Sequence, residues 1–286
     1  MQQILLSTSE FAAAIGVSES SVRRMADSGE LQIHRTRGGH RRIPATEAIR
    51  YVRENNVAIV RPDLLGIDEA VNQFADDDFG AKLTAALTEG HGREVTGWMQ
   101  AMYAHGLSIA EICDGPIHQA MTSIGNVRPD KRAIFVEHRA TILCVRALCQ
   151  IRLSIPDPDA NAPAAIGAAP EGDPYLLSSL MASLVLHESG FDETNLGPNM
   201  PIDVLTDVVE DEKPSIVWLA MTNAIRSRIQ DREISRLSKA VAEYGGTFLI
   251  GGRSADTFEG EGAVRCETMA ELGNLAIEVI NRRAQP

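Results

Sequence analysis

Residues 7–43 run STSEFAAAIGVSESSVRRMADSGELQIHRTRGGHRRI, and the reading of this stretch decides the amino-terminal fold. Ser7 is placed to cap a first helix, with Glu10 three positions on completing a capping box. Phe11, Ala14 and Ile15 form the inner face of that helix. Gly16 ends it, because a helix stop commonly needs the left-handed backbone that glycine tolerates. Ser18 is placed to cap a second helix, where Val22 and Met25 point inward at a spacing of three. That leaves Ser20, Ser21, Arg23 and Arg24 on the outer face. Gly29 stops the second helix. Leu31–His34 and His40–Ile43 suit two short strands, with Gly38-Gly39 allowing a tight turn between them.

The tip of this hairpin, residues 35–42, carries Arg35, Arg37, His40, Arg41 and Arg42 with almost no apolar payload. Guanidinium groups of this kind contact phosphates or enter a narrow minor groove, and the second helix has the size of a major-groove reader. The plain alternative is a solvated basic hairpin on a small domain. Charge distribution weighs against that alternative. Residues 1–53 hold eight arginines against five acids, whereas the chain as a whole has a formal net charge of -12. A polyanion is accepted at the amino end and repelled elsewhere. Residues 4–54 resemble the DNA-binding domain of the MerR family of transcription regulators. The SerGluSerSerValArgArgMet run at 18–25 stands where that family has its recognition helix, and ArgGlyGlyHisArgArgIle at 37–43 where it has its wing. The resemblance implies that Ser20, Ser21, Arg23, Arg24, Arg35, Arg37, His40, Arg41 and Arg42 contact double-stranded operator DNA. One such domain reads a short site, so a homodimer or homotetramer is expected.

At 286 residues and 44% hydrophobic content, two or three domains are expected. With no run of about 18 apolar residues, no membrane span is expected. The start of the chain has no export-signal pattern, so a cytoplasmic location is expected. Cys113, Cys144, Cys149 and Cys266 lack CxxC spacing and are expected as buried thiols in a reducing compartment, not as a disulfide or zinc framework.

Residues 55–66 read as a connector. From Asp68 to Leu153 apolar residues recur at spacings of three and four in Glu69–Phe74, Phe79–Leu87, Val95–Tyr103, Ile109–Ile124 and Arg132–Leu153, which predicts a helical bundle. Glu137 and His138 lie in mid-helix, where the bland account is a surface pair beside Arg139. The spacing of His105, His118 and His138 fits no metal motif. Residues 156–163 are a stiff Pro-rich linker. Beyond them strands at Ala164–Ala169, Asp192–Leu196, Ser215–Met221, Thr247–Ile250 and Ala263–Glu267 alternate with helices at Leu176–Ser189, Ile202–Glu210, Ser227–Tyr244 and Met269–Arg283. This alternation predicts a flavodoxin-like, doubly wound parallel α/β domain of five strands. The expected organisation is therefore a winged helix-turn-helix domain at 1–56, a helical bundle at 65–155, the linker, and the α/β domain at 164–286. Ligands of such sheets sit at the carboxyl ends of the strands. The loops Glu171–Tyr175, Ala220–Thr222 and Gly251–Ser254 lie there, the twin glycines either admitting a ligand or simply ending a strand.

This domain order resembles the cobalamin-dependent photoreceptor repressors of the CarH/LitR type. In that family the bundle covers the upper face of adenosylcobalamin and the α/β domain holds the lower face. The family's Asp/Glu-x-His-x-x-Gly motif stands here as Asp173-Pro174-Tyr175-Leu176-Leu177-Ser178, so the acid is kept while Tyr175 replaces the histidine and Ser178 the glycine. Glu137-His138 match the family's Glu-His pair, Val127 stands at its tryptophan, Ala220 at a serine after the third strand, and Gly251-Gly252 at the glycine pair near the nucleotide tail. A neutral imidazole is a good donor to cobalt; a phenol, with an ordinary pKa near ~10, is a poor one. Tyrosinate is able to ligate ferric haem, which leaves Tyr175 open as an axial ligand of another tetrapyrrole such as haem or a bilin. Three states of the pocket stay open: cobalamin, another ligand, and none.

The reading of the whole chain is a DNA-binding regulator, a repressor, whose oligomerisation or affinity is controlled by a light- or small-molecule-responsive module without normal His-ligated cobalamin. Two alternatives remain. One is a ligand-free partner or antagonist of a paralogous regulator. The other is the corrinoid carrier subunit of a methyltransferase. No nucleophile elbow, P-loop or GxGxxG run occurs, so no catalytic residues and no enzymatic activity are expected.

Overall fold

The computed structural model describes residues 4–67, 79–222, 228–258 and 262–284. The chain divides into two compact units. One comprises Met1–Ser108 with Gly115–Pro156, the other Ile109–Asp114 with Asp157–Pro286.

In the first unit, β1 (Leu5–Leu6), α1 (Thr8–Ala14), α2 (Glu19–Ser28), β2 (His34–Arg35), β3 (Arg41–Pro44) and α3 (Ala45–Glu54) form the amino-terminal region. The capping box forms as its residue types require. Ser7 Oγ accepts from Glu10 N and the Glu10 carboxylate accepts from Ser7 N at 2.7 Å. Ser18 caps α2, and Gly29 ends it at φ +86°. The strands form an antiparallel sheet in the order β1-β3-β2. Thr36–His40 connects β2 to β3, with Gly39 at φ +77° supplying the left-handed turn residue. The expected strand at Leu31–His34 is mostly absent. Leu31 is instead buried beneath the end of α2, its N–H on Met25 O, and pairing begins only at His34. Two elements, β1 and α3, were not anticipated. Both serve the core of Leu6, Phe11, Val22, Leu31, Ile43 and Ile49, all at most 1% exposed, with Phe11 edge-on to Tyr51 of α3.

The 55–66 connector is packed, not loose. The N–H groups of Val60 and Arg61 both reach Ala14 O, and Leu65 and Ile67 are buried. Beyond it α4 (Phe79–Glu89) and α5 (Gly92–Ala104), then, past a short α6 (Ile109–Ile112), α7 (His118–Gly125) and α8 (Lys131–Arg152) make the helical region. Arg53 of α3 lies 4.0 Å over the Tyr103 ring and donates to Tyr103 O and Leu107 O, both at 2.7 Å. It thereby adds a charged donor to carbonyls at and just beyond the carboxyl end of α5. The single helix expected at Ile109–Ile124 is broken by a π-helical turn over Cys113–Ile117. Pro116 has no N–H to give the ladder and its ring crowds the preceding turn. The expected helix at Glu69–Phe74 lies outside the described residues. The expectation of four buried thiols holds for Cys113 and Cys144, while Cys149 is exposed and Cys266 half-buried. Burial pushes the Cys144 thiol up to about 12.

The second unit carries β4 (Ala164–Ala168), α9 (Leu176–Glu188), β5 (Asp192–Asn195), α10 (Ile202–Glu212), β6 (Ile216–Ala220), α11 (Arg228–Glu243), β7 (Thr247–Gly251), β8 (Ala263–Cys266) and α12 (Met269–Ala284). The expected helix start at Ser227 falls outside the described residues. All five strands are parallel, in the order β5-β4-β6-β7-β8. Short apolar runs such as IleValTrpLeuAla at 216–220 are what a strand buried on both faces requires. On one face Val217, Leu219, Phe248 and Ile250 pack with Ile202, Leu205 and Val209 of α10 and Ile234 and Leu237 of α11. The opposite face meets α9. The α6 segment belongs to this unit: Ile109 N donates to Glu188 of α9 at 2.8 Å, and Asp114 caps α12 by accepting from Met269 N and Ala270 N, both at 2.9 Å. Among the described residues no helix is long and apolar enough to cross a membrane.

Candidate functional site

Two regions carry the sequence-nominated residues. On α2, Ser20, Arg23 and Arg24 are exposed and Ser21 is half-buried. The Ser18 hydroxyl lies 2.8 Å from that of Ser20 and 2.9 Å from that of Ser21, so the amino end of α2 presents a cluster of small hydroxyls. Arg23 pairs with Glu19 at 2.8 Å, one turn earlier. The Glu19 carboxyl is held below its ordinary value, first by the hydrogen bond from Thr8 and then by that from Arg23. On the wing, Arg35, Arg37 and His40 are exposed while Arg41 and Arg42 are half-buried. Pairing of β2 with β3 sets His34 opposite Arg42 and Arg35 opposite Arg41. Arg41 reaches back to Asp27 of α2 at 2.6 Å, which brings the wing and the outer face of α2 together. The nine nominated residues thus lie on two adjacent elements. Asp27 was missed; its signal was an acid in the last turn of a helix, where the macrodipole disfavours it.

The second region is the crevice at the carboxyl ends of β4 and β6, neighbours in a sheet whose order reverses there. Asp173 is 2% exposed, and its two oxygens accept from Tyr175 N at 3.1 Å and Thr222 N at 2.5 Å. Thr222 Oγ1 also donates to Ser178 Oγ at 3.1 Å, so the loop after β6 is tied to both Asp173 and the first turn of α9. Tyr175 occupies the N-cap position of α9 and is 42% exposed. Gly252 has φ +95°, and a Cβ there would lie 2.7 Å from Met221 O; one at Gly251 would lie 3.1 Å from Cys266 O. The glycine pair therefore answers to close backbone packing. Ala220 and Trp218 alternate with the Val217 and Leu219 side chains and face the other way. Trp218 stands in register with Gly167 of β4, and its indole lies where a Cβ of residue 167 would be. Trp218 is 2% exposed, and its Nε1 has no hydrogen-bond partner among the described residues. The remaining nominated residues are in the first unit: Val127 follows α7 and is 58% exposed, and Glu137 and His138 are exposed on α8. Among the described residues no group of three His, Cys, Asp or Glu side chains is arranged to hold a metal ion.

Residues 5–56 match a family described as "Helix-turn-helix domain". Among curated proteins none matches this chain. Of solved structures, the monomethylamine corrinoid protein of Methanosarcina barkeri aligns with a TM-score of 0.55 and 17% identity, over 72% of this chain and 100% of that one. The methanol:cobalamin methyltransferase complex of Methanosarcina barkeri aligns at 0.36 and 16% identity, over 74% and 84%. A cobalamin-binding protein of Desulfitobacterium hafniense DCB-2 aligns at 0.35 and 16%, over 72% and 98%. The likeness to the first is one of fold alone, here in a chain that also carries a helix-turn-helix domain.

The residues present do not fit a His-ligated corrinoid. Position 175, which the resemblance noted above sets at the cobalt donor, holds a phenol. The acid that would orient a histidine is already satisfied by two backbone N–H groups. Thr222 and Ser178 bridge the crevice mouth, and the strand face beneath Ala220 is filled by the Trp218 indole.

Proposed function

We propose that this protein is a DNA-binding transcription regulator of the MerR type, a repressor, whose α/β domain tunes assembly without a His-ligated corrinoid and without catalysis. The observation that carries the reading is the juxtaposition of an exposed α2 face bearing Ser20, Arg23 and Arg24 with an arginine-rich wing, on a chain that is otherwise acidic. Phosphate contacts from such a wing position the domain, and side chains at the amino end of α2 reach base edges. A homodimer or homotetramer multiplies short half-site affinities through effective concentration. The electrophoretic mobility of the promoter beside its own gene tests this. The wild type shifts it, and Arg24→Ala with Arg37→Ala weakens the shift by about 60-fold at 0.1 M salt, two phosphate contacts' worth. No shift by the wild type ends the proposal.

The filled crevice favours a second reading of the same domain, that of a ligand-free interaction module which joins oligomers of a paralogous regulator. Size-exclusion chromatography with and without the paralogue separates the two. Absorption spectra after incubation with adenosylcobalamin, haem or a bilin test the sensor role in light and dark.

A further inference from the structure

Asp27 stands one residue from the end of α2, which closes at Ser28 before the left-handed Gly29. The carboxyl end of a helix carries partial negative charge, so an acid there is placed against the dipole. A second unfavourable feature lies across from it. The wing register sets Arg35 and Arg41 directly opposite one another, and like charges at opposed strand positions repel. Asp27 offsets both. Its Oδ1 lies 2.6 Å from Arg41 Nη2 and 3.9 Å from Arg35 Nη2. One carboxylate serves two guanidinium groups, and the Arg41 side chain is thereby drawn in to 25% exposure while Arg35 stays at 58%.

We propose that Asp27 is a latch for the wing: it holds Arg41 against α2, with the exposed Arg35 close by, and keeps the Arg41 charge from unspecific phosphates, so that it raises the preference for operator over random duplex. The proposal rests on the DNA-binding reading above. Asp27 is a positioning residue here. It contacts no base or phosphate itself and acts through the arginines, for which a duplex phosphate competes. At a random site, where few other contacts form, the latch withholds one cation from the backbone. At an operator the remaining contacts of α2 fix the register, and the wing docks from an orientation already set.

The test is filter binding of the full-length protein to two duplexes, the promoter beside its own gene and a random sequence, across a salt series. Asp27→Asn keeps the shape and removes the charge. Its affinity for random duplex rises about eightfold at 0.1 M salt, and the slope of log K against log salt steepens by about 0.9, the value of one added phosphate contact. Operator affinity rises less, so the ratio between the duplexes falls. Asp27→Glu, which retains the charge, restores the wild-type slope. In an Asp27→Asn, Arg41→Gln double variant the added slope disappears. A merely structural role would weaken both duplexes together at unchanged slope, and that result overturns the latch. So does Asp27→Asn binding indistinguishable from wild type. Failure of the wild type to bind either duplex overturns the DNA-binding reading instead, and separates the two outcomes.

Discussion

The amino-terminal 54 residues keep most of their nominated side chains on the surface, whereas the crevice of the α/β unit buries Asp173 and Ala220, half-buries Ser178 and Gly251, and exposes Tyr175 and Gly252. Ser20, Arg23, Arg24, Arg35, Arg37 and His40 are exposed and sit on elements whose cores are filled by other residues. Asp173 and Ala220 are buried, Ser178 is bridged to Thr222, and Trp218 occupies the strand face below them. The difference is physical. A surface contact site leaves side chains in water and costs the fold little. Side chains packed in an interior crevice hold one another in place, and a void opened among them costs about 24 cal/mol per Å³.

Substitutions break or sharpen that contrast. Trp218→Ala is expected to have the largest effect, a loss of about 3–5 kcal/mol in denaturant unfolding, because the indole is buried against Gly167. Duplex affinity per folded molecule stays at the wild-type value. If Trp218→Ala is instead neutral, the indole is not filling an interior and the contrast fails. Combining it with Tyr175→His and Ser178→Gly widens the crevice and places an imidazole at position 175, with an absorption change on adding cobalamin as the readout. Gly252→Ala follows, with about 1–3 kcal/mol of strain from the positive φ and the approach to Met221 O, measured in the same unfolding experiment. A smaller effect is expected for Ser18→Ala, about 1 kcal/mol through the lost cap of α2. Here the sign of the contrast reverses: stability changes little while operator affinity falls, because the same hydroxyl cluster fronts the proposed base-reading end.

The smallest expected effect is one of pH. The Glu10 carboxyl is held below its ordinary value, first by the Ser7 backbone N–H and then by the Ser7 hydroxyl. A depressed acid contributes stability that is complete above the unfolded value of about 4.3 and is lost as pH falls through the lower folded value. Thermal melts of full-length protein between neutral pH and pH 3 read this, and Glu10→Gln removes that part of the slope. The group is largely exposed, so solvent screens the contribution.

Much of the fold was legible because its signals are local. Ser7, Ser18 and Gly29 mark helix ends by the chemistry of their own backbone turns, and the alternation of short apolar runs with helices from Ala164 onward required parallel strands with crossovers. The π-helical break at Cys113–Ile117 was legible only in part. Its apolar spacing continues on both sides, while Pro116, the residue that interrupts it, was passed over. The third helix Ala45–Glu54 and the packed connector were not read, since their roles depend on Phe11 and Ala14 far earlier in the chain.

By itself the sequence determined where α1 and α2 begin and end, that five strands lie parallel, where positive charge concentrates, and that a tyrosine stands at position 175 in the loop before α9. Tertiary structure alone decided that Trp218 lies over Gly167, that Thr222 closes on Asp173 and Ser178, and that Asp27 faces Arg41. Each of these depends on strand register or on the docking of one element against another. Such placements are set by long-range packing, which brings together residues whose separation along the chain carries no periodic signal.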